Sequence, residues 1–341
     1  MHPARRRLLL LTEAPFESVS GASFYHRRMI AAWRAMGFDA EYKALQPAEP
    51  FDPAPWSGWQ MIIDGILLRG LGAHIDLLSA SGACVLVHHP AANEPGRSEA
   101  ERGALYQVER AALPRFRRVI AASAPIAERL TGDFGVQADA IRVVTPGTDE
   151  ATRSVIDGSR PPGSPCPILS LGTLTYRKGH DVLLRALARL ADLDWSLVLA
   201  GEARDPTYAA KLPRLAAELG IAARVQFRGP LLGASLEAAW QSAELFALAT
   251  RFEGYGMAIA EALRRGVPVA ITAGGAAGSL VPPDTGVVAP VDDVDQLSKA
   301  MRRLIFNPAL RASMGEHAAA AGRALPGWAV QAAAFAVAIE A

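Results

Sequence analysis

Short apolar segments alternate with helical segments along the whole chain, and this alternation restricts the possible folds more than any other feature of the sequence. Strands that are buried on both faces of a parallel sheet read as continuous apolar runs, because crossover helices cover both sides. The sequence therefore predicts the α/β fold class, built from doubly wound parallel sheets. The predicted strands are Leu8–Leu11, Ala40–Lys43, Met61–Ile63, Cys84–Val87, Val119–Ala121, Ile141–Val144, Ile168–Leu171, Ser196–Ala200, Val225–Arg228, Leu245–Leu248, Val267–Ile271 and Gly286–Val288.

The length of the chain indicates two domains. At 341 residues the chain exceeds the size at which a single hydrophobic core remains efficient. The stretch Ser159–Pro167 is so rich in proline and glycine that we expect neither a helix nor a central strand there. We take this stretch as an interdomain linker, which predicts an N-terminal domain over residues 1–158 and a C-terminal domain over residues 168–324.

Composition and charge exclude several classes of protein. The chain has 35 Lys and Arg against 34 Asp and Glu, a net charge of +1, so it has no overall basic surface of the kind that nucleic-acid binding usually requires. Half of the residues are hydrophobic, which argues against global disorder. The two cysteines, Cys84 and Cys166, fit a reducing compartment better than a disulfide framework. We expect a globular protein without a nucleic-acid partner.

Two basic stretches bear on the location of the protein. Arg5–Arg7 precede Leu8–Leu11 and imitate the start of a signal peptide, but the apolar run is too short and no small-residue cleavage site follows it. No other run approaches the roughly 18 apolar residues needed to span a bilayer, so we expect a cytoplasmic protein. Four arginines lie within Arg110–Arg118. Peripheral contact with anionic lipid at the inner face of the membrane stays open, beside the simpler interpretation of a solvated helix end with snorkelling side chains.

The segment Arg251–Leu263 carries the strongest functional motif. It follows the predicted strand Leu245–Leu248, crosses a glycine-flanked turn and opens a helix, where free backbone N–H groups and the helix dipole favour a phosphate. Glu253 is predicted in the turn and Glu261 two helical turns later. A carboxylate beside a phosphate site is favourable when it accepts hydrogen bonds from hydroxyl groups, which a sugar or a ribose provides. The alternative is that both glutamates are ordinary surface residues.

The segment Leu171–Gly179 is a second candidate. It lies between a predicted strand and a predicted helix, and it carries Arg177 and Lys178 in a glycine-bounded loop. A diphosphate suits such a loop, because arginine makes planar bidentate contacts and lysine supplies a compact charge. The alternative is a solvated basic turn.

The segment Val85–Pro90 is a third candidate, because a predicted strand ends in His88 and His89. A histidine at the carboxyl end of a strand could bond a sugar hydroxyl or handle the proton of an acceptor near neutral pH. The alternative is a histidine with a purely structural role.

Together the motifs resemble glycosyltransferase family 4, the group 1 glycosyltransferases, which are retaining enzymes of the GT-B fold with two Rossmann-like domains facing each other across a cleft. The match rests on Glu-Gly-Tyr-Gly followed by a second glutamate after seven intervening residues. The resemblance implies that Glu253 contacts the donor sugar in the catalytic site and that Glu261 contacts the nucleotide ribose. The backbone amides expected to meet the donor belong to Gly254, Tyr255, Gly256 and Met257.

The same resemblance assigns the remaining site residues. Lys178 stands where the diphosphate loop of the family has a lysine, whereas Thr173 stands where an arginine is usual, so Arg177 becomes the substitute cation. His88, with His89 close behind it, is the histidine expected in the catalytic site. The other donor-binding positions are Gly21 in the first loop and Gly229 and Leu231 near the nucleotide base.

The resemblance implies a metal-independent hexosyltransferase that moves a sugar from a nucleoside-diphosphate sugar to an acceptor hydroxyl. The donor would be a UDP-sugar or a GDP-sugar, no cofactor would be needed, and the acceptor would be a lipid, a saccharide or a small metabolite. It also implies that a last helix, over residues 325–341, packs back on the first domain. Two alternatives remain open: a nucleotide-sugar epimerase on the same fold and a non-catalytic subunit that binds sugar nucleotides.

Other short motifs argue against other chemistries. Asp293-Val294-Asp295 has the Asp-x-Asp spacing of metal-dependent glycosyltransferases, but it opens the predicted helix Val294–Phe306, where carboxylates stabilise the N-terminus. We therefore interpret it as a helix cap. The chain has neither a Gly-x-Gly-x-x-Gly after the first strand nor a Gly-Lys-Ser/Thr loop, which argues against a nicotinamide dehydrogenase and a P-loop ATPase. No cysteines and histidines have zinc-ligand spacing, so the sequence predicts no metal site.

Overall fold

The computed structural model describes residues 6–46, 49, 51–72, 74–152 and 164–340. The chain divides into two compact units, of which the first comprises residues 1–147 and 326–341 and the second comprises residues 148–325. Each unit is built around one six-stranded parallel sheet. None of the described helices is long and apolar enough to cross a membrane.

The first unit is a doubly wound sheet. Its strands are β1 (Arg7–Glu13), β2 (Asp39–Leu45), β3 (Gln60–Asp64), β4 (Cys84–Val87), β5 (Val119–Ala121) and β6 (Ile141–Val143). Its helices are α1 (Gly21–Ala35), α2 (Leu68–Leu71), α3 (His74–Ala80), α4 (Glu99–Ala112) and α5 (Ala124–Gly132), joined by the last helix of the chain, α12 (Trp328–Glu340). The strand order is β2-β1-β3-β4-β5-β6, so the chain winds from β1 first to one edge of the sheet and then to the other.

β1 lies inside this sheet because both of its faces are apolar. Leu8–Leu11 are each at most 2% exposed, and the strand pairs with β2 on one side and β3 on the other. The following helix begins where Ser20 accepts a hydrogen bond from Ser23 N at 3.1 Å, a typical N-cap. These two features fix where β1 ends and where α1 starts.

α12 packs on α1 within the first unit. Trp33 Nε1 donates to Ala332 O at 3.2 Å, and the ring of Trp33 lies 5.2 Å from that of Phe335. A Cβ on Gly147 would stand 2.6 Å from Trp328 Cα, so a side chain at this position would collide with the start of α12. The last helix is therefore part of the first hydrophobic core.

The second unit is also doubly wound. Its strands are β7 (Cys166–Leu171), β8 (Trp195–Ala200), β9 (Val225–Arg228), β10 (Leu245–Leu248), β11 (Val269–Thr272) and β12 (Gly286–Ala289). Its helices are α6 (His180–Ala188), α7 (Pro206–Glu218), α8 (Gly233–Ser242), α9 (Met257–Arg265), α10 (Val294–Phe306) and α11 (Pro308–Ala324). The strand order is β12-β11-β10-β7-β8-β9. β7 and β10 are neighbours at its centre, so the loops that follow them leave the sheet side by side.

Helical periodicity and close approach explain the packing of the second unit. Leu297, Met301 and Leu304 recur at helical spacing on α10 and are fully buried. Asp293 caps this helix by accepting a hydrogen bond from Gln296 N at 2.8 Å, the role expected from the sequence. A Cβ on Gly322 of α11 would lie 2.3 Å from Leu263 O, which shows how closely α11 approaches α9.

The region between the units differs from the sequence prediction. The division falls between Gly147 and Thr148, before the predicted end of the first domain at residue 158. Cys166 and Pro167, placed in the linker from the sequence, begin β7, which pairs with β8 and β10. Proline argues against a central strand, but it is compatible with the first residues of a strand, and β7 begins in this way. Residues 159–163 of the predicted linker lie outside the described residues.

Candidate functional site

Two loops meet at the carboxyl edge of the sheet in the second unit. The loop after β7 covers residues 172–179, and the loop after β10 covers residues 249–256. Because β7 and β10 are parallel neighbours, both loops lie on the edge where open α/β sheets bind ligands. Arg251 N–H joins the two loops by donating to Arg177 O at 2.8 Å.

A carboxylate of the second loop pairs with two cations of the first. Lys178 Nζ donates to Glu253 Oε1 at 2.5 Å, and Arg177 Nη1 lies 3.5 Å from Glu253 Oε2. Thr250 Oγ1 also donates to Glu253 Oε1, at 3.0 Å. The three charged side chains are at most 15% exposed. We call Arg177, Lys178 and Glu253 the cation–glutamate cluster; with two positive charges and one negative, it carries a net positive charge that suits an anionic ligand.

The charges of this cluster stabilise one another against burial. Burial alone would raise the pKa of Glu253, but the neighbouring Lys178 and Arg177 outweigh burial and lower this pKa to about 2. Burial lowers the pKa of Lys178, and the charge of Glu253 opposes that effect. Glu253 is therefore fully ionised at neutral pH and holds both cations in place.

Glycine permits the close approach of the two loops. Gly179 has a φ of +63°, and a Cβ at this position would lie 1.8 Å from Ala249 O. A Cβ on Gly201, which follows β8, would lie 1.9 Å from Gly172 O. Both contacts are with backbone atoms, which have no alternative rotamer, so a side chain would push the loops apart.

Arg251 opens the sequence motif, but its guanidinium bonds to the chain itself. Nη1 and Nη2 donate to the two oxygens of Asp181 at 2.9 Å each, and Nε donates to Asp292 at 2.7 Å. The guanidinium stacks 3.8 Å from the ring of Tyr176, and Tyr208 Oη donates to Asp181 at 2.6 Å. Arg251 is therefore a clamp between the loop after β10 and the start of α6 rather than a ligand-binding cation.

His180, which sequence reasoning missed, supports the loop after β7. His180 is fully buried, and its Nε2 lies 3.3 Å from Thr173 O. Burial and the charge of Lys178 lower the pKa of His180 to about 4, so this ring is neutral at physiological pH. Thr173 is thus tied to α6 through its carbonyl, and Arg177 is the residue that brings a second cation beside Lys178.

The glycine turn after Glu253 leads directly into α9. Gly254 and Tyr255 are buried, and Gly256 adopts a φ of +109° as the N-cap. Met257 is the first helical residue, and the N–H groups of a first helical turn have no acceptor within the helix. Glu261 is half-buried, just over one turn into α9. The start of α9 therefore presents backbone donors shortly after Glu253 in the chain.

A glycine pair after β11, also missed from the sequence, supports Glu253. Glu253 N donates to Gly274 O at 3.1 Å, and Ala276 N donates to Glu253 O at 2.8 Å. Gly275 has a φ of +63°, and its Cβ would lie 2.3 Å from Glu253 O. The sequence signal that could have revealed this support is the pair of glycines shortly after a predicted strand.

Gly229 and Leu231 follow β9, the outer strand beyond β8. Gly229 is exposed and Leu231 is half-buried. All strands of this sheet are parallel, so both residues lie on the same edge as the two loops, two strands away from β7.

In the first unit, His88 belongs to a buried polar cluster. His88 Nε2 lies 3.1 Å from Nε2 of His26, a residue of α1 that sequence reasoning missed. His26 Nε2 lies 3.4 Å from Asp64 Oδ2, and His26 Nδ1 lies 3.2 Å from Thr12 Oγ1. We call His26, Asp64 and His88 the histidine–aspartate cluster. Its members come from three separate stretches of the chain, so no single motif could reveal it.

Burial dominates the protonation of this cluster. It raises the pKa of Asp64 to about 7, and it lowers the pKa of His26 well below its usual range. Burial and the neighbouring His89 lower the pKa of His88 to about 3. The neutral ring of His88 therefore favours hydrogen bonding to a sugar hydroxyl over handling a proton near neutral pH, the two roles expected from the sequence.

The remaining first-unit positions are less constrained. His89 is half-buried after β4. Gly21 is the exposed first residue of α1, and a Cβ there would meet nothing within 4 Å. Beside it, Ser23 Oγ lies 2.6 Å from Ser18 Oγ and 2.9 Å from Ser20 Oγ. The fold itself does not require glycine at position 21.

The second-unit site has a definite chemical character. Two largely buried cations and a helix N-terminus favour a phosphate or diphosphate, and a buried carboxylate beside them accepts hydrogen bonds from hydroxyl groups. The cluster contains no serine or cysteine, and its lysine, Lys178, is paired as a cation with the Glu253 carboxylate, so the geometry does not indicate a covalent nucleophile.

Known proteins match this chain in sequence over its second unit and part of its first. The family described as "Glycosyl transferases group 1" matches residues 156–321, which include both loops of the second-unit site. A GDP-mannose-dependent monoacylated alpha-(1-6)-phosphatidylinositol monomannoside mannosyltransferase from Corynebacterium glutamicum is 32% identical over 200 residues, or 56% of this chain and 49% of that protein. A D-inositol 3-phosphate glycosyltransferase from Xylanimonas cellulosilytica is 32% identical over 225 residues, or 62% and 53%. The chain thus spans about half the length of the curated relatives it matches.

A solved structure matches nearly the whole fold. Sucrose-phosphate synthase from Thermosynechococcus elongatus superposes with a TM-score of 0.81 at 20% identity, covering 97% of this chain and 98% of that one. At this identity the likeness concerns the fold. The prediction of an α/β GT-B fold with two Rossmann-like units is confirmed.

Proposed function

Because this chain belongs to the group 1 glycosyltransferases, we propose that it transfers a hexosyl group from a nucleoside-diphosphate sugar to an acceptor hydroxyl. The transfer retains the anomeric configuration, as in glycosyltransferase family 4, which the motifs resemble. One observation carries the proposal: the cation–glutamate cluster forms where two central loops meet, directly before the N-terminus of α9. Positive charge, backbone donors and a hydroxyl-binding carboxylate are thereby available in one place.

The diphosphate of the donor is assigned to Lys178, Arg177 and the backbone from Gly254 to Met257. As the sugar leaves, negative charge grows on the diphosphate, and fixed cations and helix N–H groups stabilise it without reorganising. This arrangement takes the place of a metal ion, so the donor site works with neither metal nor cofactor. Arg177 replaces the arginine that the family usually has at the position of Thr173.

The hydroxyl groups of the donor are assigned to the two glutamates. Glu253 accepts hydrogen bonds from the sugar, and Glu261, half-buried on α9, accepts them from the ribose. Gly229 and Leu231 border the nucleotide base through their backbone. In the first unit, the family resemblance assigns Gly21, His88 and His89 to contacts with a sugar or an acceptor.

The relatives narrow the ligands that deserve testing. One relative is named for GDP-mannose and a phosphatidylinositol mannoside, and another for D-inositol 3-phosphate. We propose that the donor is a UDP-sugar or a GDP-sugar and that the acceptor is a saccharide, a small polyol phosphate or a lipid-linked form of one. The donor should be screened first, because the proposed donor site lies within residues 156–321, the segment that matches the group 1 glycosyltransferases.

We place the protein in the cytoplasm, with no strong attachment to anionic lipid. Three arginines of the basic stretch bond their own chain: Arg110 donates to Asp133 O at 2.8 Å, Arg118 donates to Asp139 O at 3.2 Å, and Arg115 pairs with Asp76. Liposome sedimentation tests this. Binding that rises with the fraction of anionic lipid would establish peripheral contact with the membrane instead.

A thermal-shift screen tests the donor site. Purified protein is heated with UDP, GDP, ADP and their common sugar conjugates, in buffer and again with EDTA. A ligand at 100 times its Kd stabilises the folded state by about 2.7 kcal/mol, which corresponds to a rise of roughly 5–10 °C for a unit of this size. We expect one nucleotide class to give this rise in both buffers.

Matched variants locate the binding. Lys178→Ala and Glu261→Ala should lose the shift, whereas Lys211→Ala and Glu218→Ala, which change exposed residues of α7, should keep it. A shift that persists in Lys178→Ala and Glu261→Ala, or that disappears with EDTA, contradicts the assignment. Product analysis with donor alone separates transfer from epimerisation, because an epimerase converts the sugar without an acceptor.

A further inference from the structure

The histidine–aspartate cluster of the first unit contains groups that the proposed transfer does not use. We propose that this cluster binds one divalent transition-metal ion of the zinc class through His26 Nε2, His88 Nε2 and Asp64 Oδ2. The potential ligand atoms of the three residues lie within 4.8 Å of one another. The site shares His88 with the residues assigned to the transfer, but metal binding is measured without any sugar nucleotide, so failure of one proposal is distinguishable from failure of the other.

The topology of the first sheet assembles the three ligands. Asp64 is the last residue of β3, and His88 directly follows β4. β3 and β4 are parallel neighbours, so both residues lie at the same edge of the sheet. His26 comes from α1, which follows β1, the strand on the other side of β3. One crossover helix and the ends of two adjacent strands thus bring the three ligands together.

The spacing of the ligand atoms matches a shared ion. Bonds of 2.0–2.1 Å to zinc in tetrahedral geometry place neighbouring ligand atoms about 3.3 Å apart. The observed separations are 3.1 Å between the two histidine nitrogens and 3.4 Å between His26 Nε2 and Asp64 Oδ2. These two separations are close to the tetrahedral value, and all three potential ligand atoms lie within 4.8 Å of one another.

Hydrogen bonding alone explains these contacts less well. Nε2 of a neutral imidazole carries either one proton or one lone pair. His26 Nε2 therefore cannot form a full hydrogen bond with His88 Nε2 and with Asp64 Oδ2 at the same time. A metal ion removes the conflict, because all three atoms then present lone pairs to it.

The surrounding contacts hold the ligands in the orientation that a metal site requires. His26 Nδ1 lies 3.2 Å from Thr12 Oγ1, which can accept its proton and leave the lone pair on Nε2. Asp64 Oδ1 accepts a hydrogen bond from Ile66 N at 3.1 Å, so Oδ2 is the oxygen that faces His26. Such outer contacts fix ring orientation and tautomer in metal sites.

The electrostatics of the cluster also favour a cation. Asp64 is 4% exposed, and the basic side chain within 4 Å of its carboxylate in the described part of the first unit is His26, which carries a positive charge only when it is protonated. Arg69, the nearby cation, is instead paired with Glu13. A buried carboxylate without a compensating charge is unfavourable, and a divalent ion supplies that charge.

A buried tyrosine forms a wall of the same site. The Tyr25 ring lies edge-on to the rings of His26 and His88, with centroid distances of 5.8 and 4.9 Å. Tyr25 is 1% exposed, and its hydroxyl has no hydrogen-bond partner among the residues that the structure describes. The aromatic wall limits water access, while half-buried His88 leaves a side from which an ion can enter.

The donor set indicates the class of metal. Two imidazole nitrogens and one carboxylate oxygen suit zinc and its neighbours Co²⁺ and Fe²⁺ better than Mg²⁺ or Ca²⁺, which prefer oxygen ligands. Three protein ligands leave a coordination position open. Coordination through Nε2 keeps the proton of His88 on Nδ1, where the ring can still donate a hydrogen bond to a sugar hydroxyl.

Cobalt substitution tests the proposal on the full chain. The protein is dialysed against EDTA, exchanged into metal-free buffer and titrated with Co²⁺, whose visible absorption reports nitrogen and oxygen coordination. We expect one Co²⁺ per chain, displacement by one equivalent of Zn²⁺, and a melting temperature several degrees higher with Zn²⁺ than after EDTA. A wild-type protein that gives no stoichiometric cobalt spectrum overturns the proposal.

Single-ligand variants assign the site. His26→Asn, Asp64→Asn and His88→Asn should each weaken Co²⁺ binding at least 100-fold, whereas His317→Asn, at an exposed position of α11, should leave it unchanged. Far-ultraviolet circular dichroism in EDTA identifies variants that fold. His88→Asn, changed at a half-buried position after the strand, is the variant least able to disturb folding. Undiminished cobalt binding in folded His88→Asn shows that the ion binds elsewhere and overturns the assignment.

Discussion

Glu253 and Asp64 are both buried carboxylates at the carboxyl edge of a parallel sheet, yet their surroundings differ in charge. Glu253 lies against Lys178 and Arg177, which lower its pKa to about 2 despite burial. Asp64 lies against a histidine whose own pKa is lowered, and burial raises the pKa of this carboxyl to about 7. The negative charge of Glu253 is balanced by neighbouring cations, whereas that of Asp64 is not.

This difference assigns different properties to the two clusters. The cation–glutamate cluster is a rigid ion pair with excess positive charge, so it is prepared for an anion and its loops are held by backbone contacts as well. The histidine–aspartate cluster is neutral or negative, so it gains from a cation. The same edge of the same type of sheet thus favours opposite ligands, because the residues around the carboxylate decide the sign.

The largest expected effect comes from the backbone that holds the second-unit loops together. Gly179→Ala places a Cβ 1.8 Å from Ala249 O at a φ of +63°. Strain and collision together should cost about 3 kcal/mol or more, which lowers the melting temperature of the second unit by roughly 6–12 °C. Calorimetry measures the change. Gly103→Ala, at an exposed helical position with nothing within 4 Å, should leave stability unchanged or slightly raised.

A nearly unchanged melting temperature in Gly179→Ala would mean that the two loops are not packed as described. The rigidity that distinguishes the cation–glutamate cluster would then rest on its ion pairs alone.

The second prediction concerns charge balance. Glu253→Gln leaves Lys178 and Arg177 buried without their partner, and at pH 7 it should cost on the order of 3 kcal/mol of stability. Because the folded-state pKa of Glu253 is lowered, the stabilisation is present above the unfolded value near 4.5 and is lost as the pH falls towards 2. The difference in melting temperature between wild type and variant should therefore shrink between pH 4.5 and pH 2.

Exposed Glu218→Gln is the matched control and should show no such pH-dependent difference. If Glu253→Gln differs from wild type equally at pH 7 and pH 3, the carboxylate charge is not what stabilises the cluster, and the contrast with Asp64 loses its basis.

The contrast between the clusters also explains what the sequence could predict. Glu253 and Lys178 could be predicted from the sequence, because each stands in a short contiguous motif beside a strand. Neighbouring parallel strands then bring such loops together. The contact between His26 and Asp64 could not be predicted, because it depends on the crossovers between strands and on the register of the strands that carry these residues. Gly179 and Gly275 illustrate the same limit: the need for glycine arises from a backbone contact that is distant in sequence.

Prediction of the fold from the sequence was limited in a similar way. Strands with continuous apolar runs were predicted within a few residues, because burial on both faces leaves a clear pattern. α11 was not predicted, because most of its buried residues are alanine or glycine, such as Ala318 and Gly322, and these residues carry little amphipathic signal. The start of β7 was missed because proline suppresses the strand pattern locally.

The third prediction separates the clamp from the ligand-binding cations. Arg251→Lys cannot keep both bonds to Asp181 or the stack on Tyr176, because an ammonium lacks the planar fork. We expect a loss of about 2 kcal/mol in the second unit, measured by urea unfolding. Arg302→Lys is the matched control, since Arg302 also makes two bonds, of 2.7 Å each, to the carboxylate of Asp192, but at an exposed position. Its melting temperature should not change measurably.

The smallest expected effect compares one substitution in both units. Tyr208→Phe removes the 2.6 Å hydrogen bond to Asp181 in the clamp and should cost about 1–2 kcal/mol. Tyr25→Phe removes a buried hydroxyl without a partner among the described residues, so after EDTA treatment it should be neutral or slightly stabilising. Paired urea unfolding curves measure both. Equal losses in the two variants would mean that the Tyr25 hydroxyl is satisfied in solution, and the first unit would then be as fully compensated as the second.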